Sequence, residues 1–257
     1  MKEILALNGS PREKNTFQAV IRLKGIMEKD PGIRVTPVSL SKSRILPCSG
    51  CMACLVRGIE FCPLKDDIPP LLNRIMEADG IILATPVYVL NVAGLMKNFM
   101  DRLAFLCHRP ALFRQKGFIL VTVGGYGAKD VSRYLKKVLR TWGVSSIEGA
   151  TLKTPPGKSL TPAREEKNRT VLEKAASRFL GNLYDERDPA PSLGHVMQFH
   201  MQRMIFGRPE AAEIFPADHF FYNDLKGRTY YTKARVSLLK RGAGALAESL
   251  LRKSVRF

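Results

Sequence analysis

No run of apolar residues in this chain approaches the roughly 18 that a membrane-spanning helix needs, so no helical span is expected. No signal peptide is expected either. Met1-Lys2-Glu3-Ile4-Leu5-Ala6-Leu7 is too short and too soon interrupted to be one, and we expect a cytoplasmic chain. Acidic residues are scarce: 23 Asp and Glu stand against 41 Lys and Arg, a formal charge of +18. Such an excess attracts anionic partners: a nucleotide, an acidic protein or a lipid surface. No block of like charge stands out, however, so most of the excess reads as dispersed, solvated side chains. Helix-turn-helix, zinc-finger and RNP-type motifs are all lacking, and nucleic acid is not expected as a partner. Cysteines number only five, yet four fall within fifteen residues, from Cys48 to Cys62. In a chain expected to be cytoplasmic, that spacing points to metal ligands or redox groups instead of disulfides.

What is present is an α/β pattern. With 257 residues, 45% of them hydrophobic, the chain can bury a large core. Residues 2–8, 33–39, 80–84, 117–123 and 146–152 read as five strands. Helical periodicity fills the gaps: from about Asn15 to Met27, from Asp66-Asp67-Ile68-Pro69-Pro70 to Ala78, over 92–108, over 129–142 and over 162–184. Strands alternating with helices predict a doubly wound parallel sheet of order 2-1-3-4-5. Ligands in such sheets bind outside the carboxyl ends of the strands, where the order reverses.

Three loops follow strands at that edge. Asn8-Gly9-Ser10-Pro11-Arg12, leading to Asn15 and Thr16 at a helix start, offers free backbone N–H groups, short polar side chains and one positive charge. That combination suits a phosphate. The other two are Thr85-Pro86-Val87-Tyr88 up to Asn91, and Gly124-Gly125-Tyr126-Gly127. Glycines there let backbone approach a flat ring, and either tyrosine could stack on it. Each tyrosine alone reads equally well as a surface aromatic. There is no Gly-x-Gly-x-x-Gly after the first strand, which argues against a Rossmann dinucleotide site.

These motifs, with Pro47-Cys48-x-x-Cys51-x-x-Cys54 and Lys97-Asn98-Phe99-Met100-Asp101-Arg102, occur in the order that marks a known family. Over about residues 1–180 the chain resembles the flavodoxin-like NADPH-dependent FMN reductases, and its cysteine spacing resembles their iron–sulfur flavoprotein branch. The resemblance implies a flavodoxin-like fold with non-covalent FMN and NAD(P)H as a co-substrate. It implies a homodimer or homotetramer with the flavin near a subunit interface. Ser10, Arg12, Asn15 and Thr16 would hold the FMN phosphate. Pro86, Val87, Tyr88 and Asn91 would flank the ring, and Gly124, Gly125 and Tyr126 would approach it from the third loop. No general acid or base is indicated. Lys97, Asp101 and Arg102 read as exposed or inter-subunit ion pairs.

The cysteines run Cys48-x2-Cys51-x2-Cys54-x7-Cys62-Pro63, close to a ferredoxin run, with Gly50 and Gly58 easing the turns. A [4Fe–4S] cluster is the expectation. Zinc sites usually pair their cysteines across a longer spacer, and buried or redox-active thiols remain the other alternative. Cys107 reads as a small buried residue.

We therefore expect residues 1–185 to form a flavodoxin-like FMN domain with a cysteine-rich loop at 40–66, and 186–257 a mostly helical extension. Asp185 to Pro191 reads as a linker. In the extension, His195 and His200 lack the four-residue gap of a helical metal pair, and the aromatics at 215–222 and 230–231 suit packing. Residues 235–257 are amphipathic, with Leu239, Ala243, Leu246 and Leu250 on one stripe and Arg241, Arg252 and Arg256 on another. Docking on the protein is favoured there over contact with an anionic membrane. The function expected is an FMN oxidoreductase passing electrons between flavin and cluster, its basic surface suited to an acidic electron-transfer protein. The alternatives are a cluster-free NAD(P)H-dependent FMN or quinone reductase and a redox carrier or sensor.

Overall fold

Side chains of β1 (Lys2–Asn8) alternate between two apolar layers. Leu5 and Leu7 face one core, Ile4 and Ala6 the other. The computed structural model describes residues 1–155, 157, 159–185 and 190–252, the last three as helix backbone only. β1 pairs in parallel with β2 (Ile33–Ser39) and with β3 (Gly80–Tyr88). Beyond β3 lie β5 (Lys116–Val123) and β6 (Ile147–Lys153), also parallel, giving the order β2-β1-β3-β5-β6. This is the expected five-strand order. One strand is additional: β4 (Asn91–Val92) folds back antiparallel on the end of β3.

Helices cover both faces. α1 (Asn15–Met27) and α6 (Pro162–Tyr184) pack Val20, Leu23, Leu172 and Phe179 on one layer. α3 (Ile68–Glu77), α4 (Gly94–Arg102) and α5 (Ala128–Thr141) pack Ile75, Phe99 and Leu135 on the other, with Trp142 just beyond α5. Prolines at the start of α3 stand where no N–H is required, and Asp66 accepts the Ile68 N–H there. The helix expected over 92–108 is shorter. α4 stops at Arg102 and a 3₁₀ turn, Ala104–Cys107, follows. Residues 40–66 are irregular apart from two 3₁₀ turns and the short α2 (Ala53–Val56).

The C-terminal segment contains α7 (Leu193–Phe206), α8 (Ala211–Ile214), α9 (Pro216–Asp224) and α10 (Leu238–Arg252). It has its own core of Val196, Phe199, Phe206, Tyr222, Tyr230 and Tyr231, joined by Phe113 from the sheet domain. Tyr222 and Tyr231 both donate to the Gln202 amide oxygen, whose amide nitrogen donates to the Cys107 carbonyl. α10 lies against α7 through Gly244, where a Cβ would stand 2.4 Å from the His200 ring. That close approach requires glycine. The apolar stripe expected on this helix is not its buried face: Leu239 and Leu246 are exposed, while Gly244 is buried against His200. Four residues of the expected linker, 186–189, and Arg256 lie outside the described residues, as do the side chains of Leu250 and Arg252. Among the described residues no helix is long and apolar enough to cross a membrane.

Candidate functional site

The strand order reverses between β1 and β3, and the loops expected at that edge meet there. Gly9 donates to the Ala84 carbonyl. Ser10, almost fully buried, donates its N–H to the Asn8 side chain and its hydroxyl to the Arg12 carbonyl. Thr16 is buried, its hydroxyl 2.7 Å from that of Thr122 on β5. No side chain caps α1, so its first-turn amides stay available to an anion. Arg12 and Asn15 are exposed, and the Arg12 guanidinium donates to the Tyr88 hydroxyl at 3.3 Å, tying the first loop to the second.

The second loop is a hairpin. Tyr88 pairs with Asn91, leaving Val89 and Leu90 as a two-residue turn. Both have positive φ, 46° and 63°, and Val89 is 98% exposed. A turn of this kind normally uses Asn-Gly, because both central residues must be left-handed. A branched Val there is strained. Pro86 is buried, Val87 half-buried and Tyr88 exposed. Asn91 is exposed and spends its side-chain oxygen on the Val92 N–H. The third loop closes against this turn at Gly127 (φ 91°), where a Cβ would come 3.2 Å from both Val87 and Leu90. Gly124, Gly125 and Tyr126 are exposed beside it, Tyr126 by 81%. All three loops thus stand together, and the residues that sequence reasoning missed are Val89, Leu90 and Thr122. A two-residue gap between pairing-competent residues was the available signal for the first two.

The cysteine loop lies on the α4 side. Gly50, Met52 and Gly58 have positive φ and shape it. Cys48 and Cys51 are exposed, Cys54 and Cys62 half-buried, and all four are free thiols. Cys51 is held below the ordinary thiol range by the Ala53 N–H and the Ser49 hydroxyl. Burial pushes the Cys54 thiol up, and charge on Cys62, Cys48 or Cys51 would push it the same way. Cys54 is thus near enough to the other three thiols to feel their charge. No group of three Cys, His, Asp or Glu among the described residues converges on a single-ion site. Four thiols on one loop still fit a cubane in donor chemistry.

The loop is held by side chains that sequence reading assigned elsewhere. Asn98 accepts the Cys48 N–H and donates to the Ile45 and Leu46 carbonyls. Arg102 is not exposed, as expected, but buried. It forms an ion pair with the fully buried Asp66 and donates to the Leu46 carbonyl and, at 3.5 Å, to the Cys62 sulfur. Arg102 stands four positions after Asn98, so both project from one side of α4 toward the loop. Lys97 and Asp101 do form an exposed pair. From the other side Arg109 donates to the Cys54 and Leu55 carbonyls. Cys107 is half-buried, and burial raises its pKa.

Residues 2–156, more than half of the chain, match the family described as NADPH-dependent FMN reductase. An iron-sulfur flavoprotein of Archaeoglobus fulgidus is 36% identical over 140 residues, 54% of this chain and 63% of that protein. The chain thus matches about three fifths of that relative's length. An iron-sulfur flavoprotein of Methanocaldococcus jannaschii is 29% identical over 197 residues, 72% of this chain and 98% of that protein. Among solved structures, RosB with bound 8-demethyl-8-formylriboflavin-5'-phosphate covers 100% of this chain and 88% of its own, at 16% identity and a TM-score of 0.55. At that identity the likeness concerns the fold alone.

Proposed function

Because the chain belongs to the NADPH-dependent FMN reductase family, we propose that it is an FMN-dependent oxidoreductase that takes electrons from NAD(P)H and carries a [4Fe–4S] cluster on Cys48, Cys51, Cys54 and Cys62. The observation that carries the reading is the meeting of three loops at the strand-order reversal, joined by Arg12 to Tyr88 and by Gly127 to Val87 and Leu90. FMN supplies hydride and one-electron chemistry when bound, and a cluster supplies one-electron transfer. The chain's own contribution is position and shielding. Ser10, Arg12, Asn15 and Thr16, with the uncapped amides of α1, would bind the phosphate. Pro86, Val87, Tyr88 and Asn91 form one wall of the ring site, and Gly124, Gly125 and Tyr126 the facing one.

Arg102, Asn98 and Arg109 orient the thiol loop through its carbonyls, one N–H and the Cys62 sulfur. Exposure of Tyr126, Val89 and Leu90 supports a second copy of the chain closing over the flavin. A homodimer or homotetramer follows from that reading. The basic surface suits an acidic electron-transfer partner. Two exposed cysteines, with no three thiols converging, favour one second reading: a cluster-free reductase of flavin or quinone.

One preparation separates these readings. Protein purified without oxygen is examined by absorption spectroscopy and assayed for iron and acid-labile sulfide, then mixed with NADPH and NADH in a stopped-flow instrument. Flavin bands with iron, sulfide and rapid bleaching support the first reading. Flavin without iron sinks the cluster. Flavin that neither nicotinamide reduces leaves a carrier.

A further inference from the structure

A cavity of about 960 Å³ runs along α5, over the edge strand β6, to the first turn of α7. It belongs to neither the flavin loops nor the cysteine loop. Its floor is the backbone of β6 from Gly149 to Thr151, with Ile119 of β5 packed against Gly149. One wall is a stripe of cations from α5: Lys129, Arg133, Lys136, Lys137 and Arg140. Among the described residues no carboxylate lines it. Arg133 pairs with Asp130, but among the described residues the other four cations have no ion-pair partner.

Two features set this stripe apart from an ordinary solvated face. First, its cations stand three and four residues apart, where like charges repel along a helix. Nothing interleaved on the cavity side offsets that repulsion. Second, His195 lies at the far end with only 8% of its surface exposed, and its ring nitrogens make no well-formed hydrogen bond, although the Arg140 carbonyl acts on the ring. Buried polar atoms are nearly always well paired, so an imidazole this poorly paired beside a cavity is a position a ligand would complete. Burial, and then the nearby Arg140 charge, hold its pKa low, although the Arg140 carbonyl pulls the other way. The ring stands at the amino-terminal end of α7, a 14-residue helix whose dipole also favours an anion.

We propose that this cavity binds a phosphate-bearing small molecule of nucleotide type, with its phosphates on the α5 cations and its body over the β6 edge at Gly149 to Thr151, in contact with His195. The volume falls within the range of about 300–1,000 Å³ typical of small-ligand sites. A second copy of this chain would bring the same cations against each other, which disfavours it as the occupant. An acidic protein surface could meet the rim but would leave the floor and His195 unfilled.

The test uses the full-length chain with saturating FMN, so that the phosphate loop at Ser10 is already occupied. ATP, tripolyphosphate and adenosine are titrated calorimetrically, while the His195 ring is followed by NMR. ATP is expected to bind, tripolyphosphate more weakly and adenosine most weakly, with a shift of the His195 resonance. Lys136→Glu with Arg140→Glu should weaken ATP at least tenfold and leave FMN content unchanged. If that pair melts early, Lys136→Gln with Arg140→Gln reads the same charge, and His195→Phe tests the imidazole separately. Unchanged ATP affinity in these variants, or binding that leaves the His195 resonance in place, would overturn the proposal. So would tighter binding of a poly-glutamate peptide than of ATP, which would make the stripe a protein-docking face.

Discussion

Asp218 on α9 and Arg109 beyond α4 form a buried ion pair that joins the C-terminal segment to the sheet domain. The same guanidinium donates to the Cys54 and Leu55 carbonyls, so a residue of the extension braces the helix that carries a thiol. His108 shares the carboxylate at 2.7 Å. Removing one member of a buried pair strands the other, at a cost of about 3–5 kcal/mol. Asp218→Ala should lower the unfolding free energy by about that amount in a urea titration. In cluster-free protein it should also speed alkylation of Cys54, as α2 loosens. Arg109→Lys keeps the charge but not the two-pronged donation, so Cys54 should react faster with a smaller loss of stability.

A second buried pair sets an acid limit. Asp66 has no side-chain exposure, and burial alone would raise its pKa. The Arg102 guanidinium and the Leu46 and Ile68 N–H groups outweigh that and hold the carboxyl below its ordinary range. A depressed folded-state pKa gives stability that is full above the unfolded value of about 4. It drains away as pH falls through the lower folded value. Wild-type stability should therefore decline steadily below about pH 4. Asp66→Asn should flatten that decline while lowering stability at pH 7, and unfolding curves across pH 2–7 compare the two. An equally steep decline in the variant would remove Asp66 from the account.

The sheet was legible because its strands are apolar runs bounded by turns and its helices have amphipathic spacing; the order then follows from right-handed crossovers. What was not legible was local. Arg102 looked like surface charge because Lys97 and Asp101 beside it are surface charge. Its burial depends on Asp66, 36 residues away, and on loop carbonyls that no periodicity encodes. Asp218 was hidden for the same reason, its partners being contributed by a turn after α4. The short hairpin strand escaped notice because Val89 and Leu90 are poor turn residues. The convergence of the loops could be anticipated from the edge rule for doubly wound sheets; the contacts between them could not.

At the proposed phosphate loop the side chain to change is Ser10. It is 5% exposed, and its hydroxyl both donates to the Arg12 carbonyl and accepts the Arg12 N–H. Ser10→Glu adds bulk where there is little room and negative charge where an anion would bind. Fluorescence titration should show FMN affinity reduced by at least a hundredfold, about 2.7 kcal/mol. Ser10→Ala removes only the loop's internal hydrogen bonds and should cost much less. Full FMN affinity in the glutamate variant would move the phosphate away from this loop.

The Val89–Leu90 turn offers the sharpest separation of stability from function. Two consecutive left-handed residues, one of them β-branched, cost on the order of 1–3 kcal/mol each. Asn-Gly would relieve most of that in a two-residue hairpin. Val89→Asn with Leu90→Gly should therefore raise Tm by several degrees in thermal melts. Yet Leu90 packs against Gly127 of the third loop, and Val89 stands 98% exposed at the rim of the proposed ring site. If the strain is retained to hold apolar side chains there, the stabilised variant should bind FMN more weakly, and its flavin should exchange faster with solvent-borne flavin. Higher Tm with unchanged FMN affinity would show that the turn is strained for some reason other than the flavin.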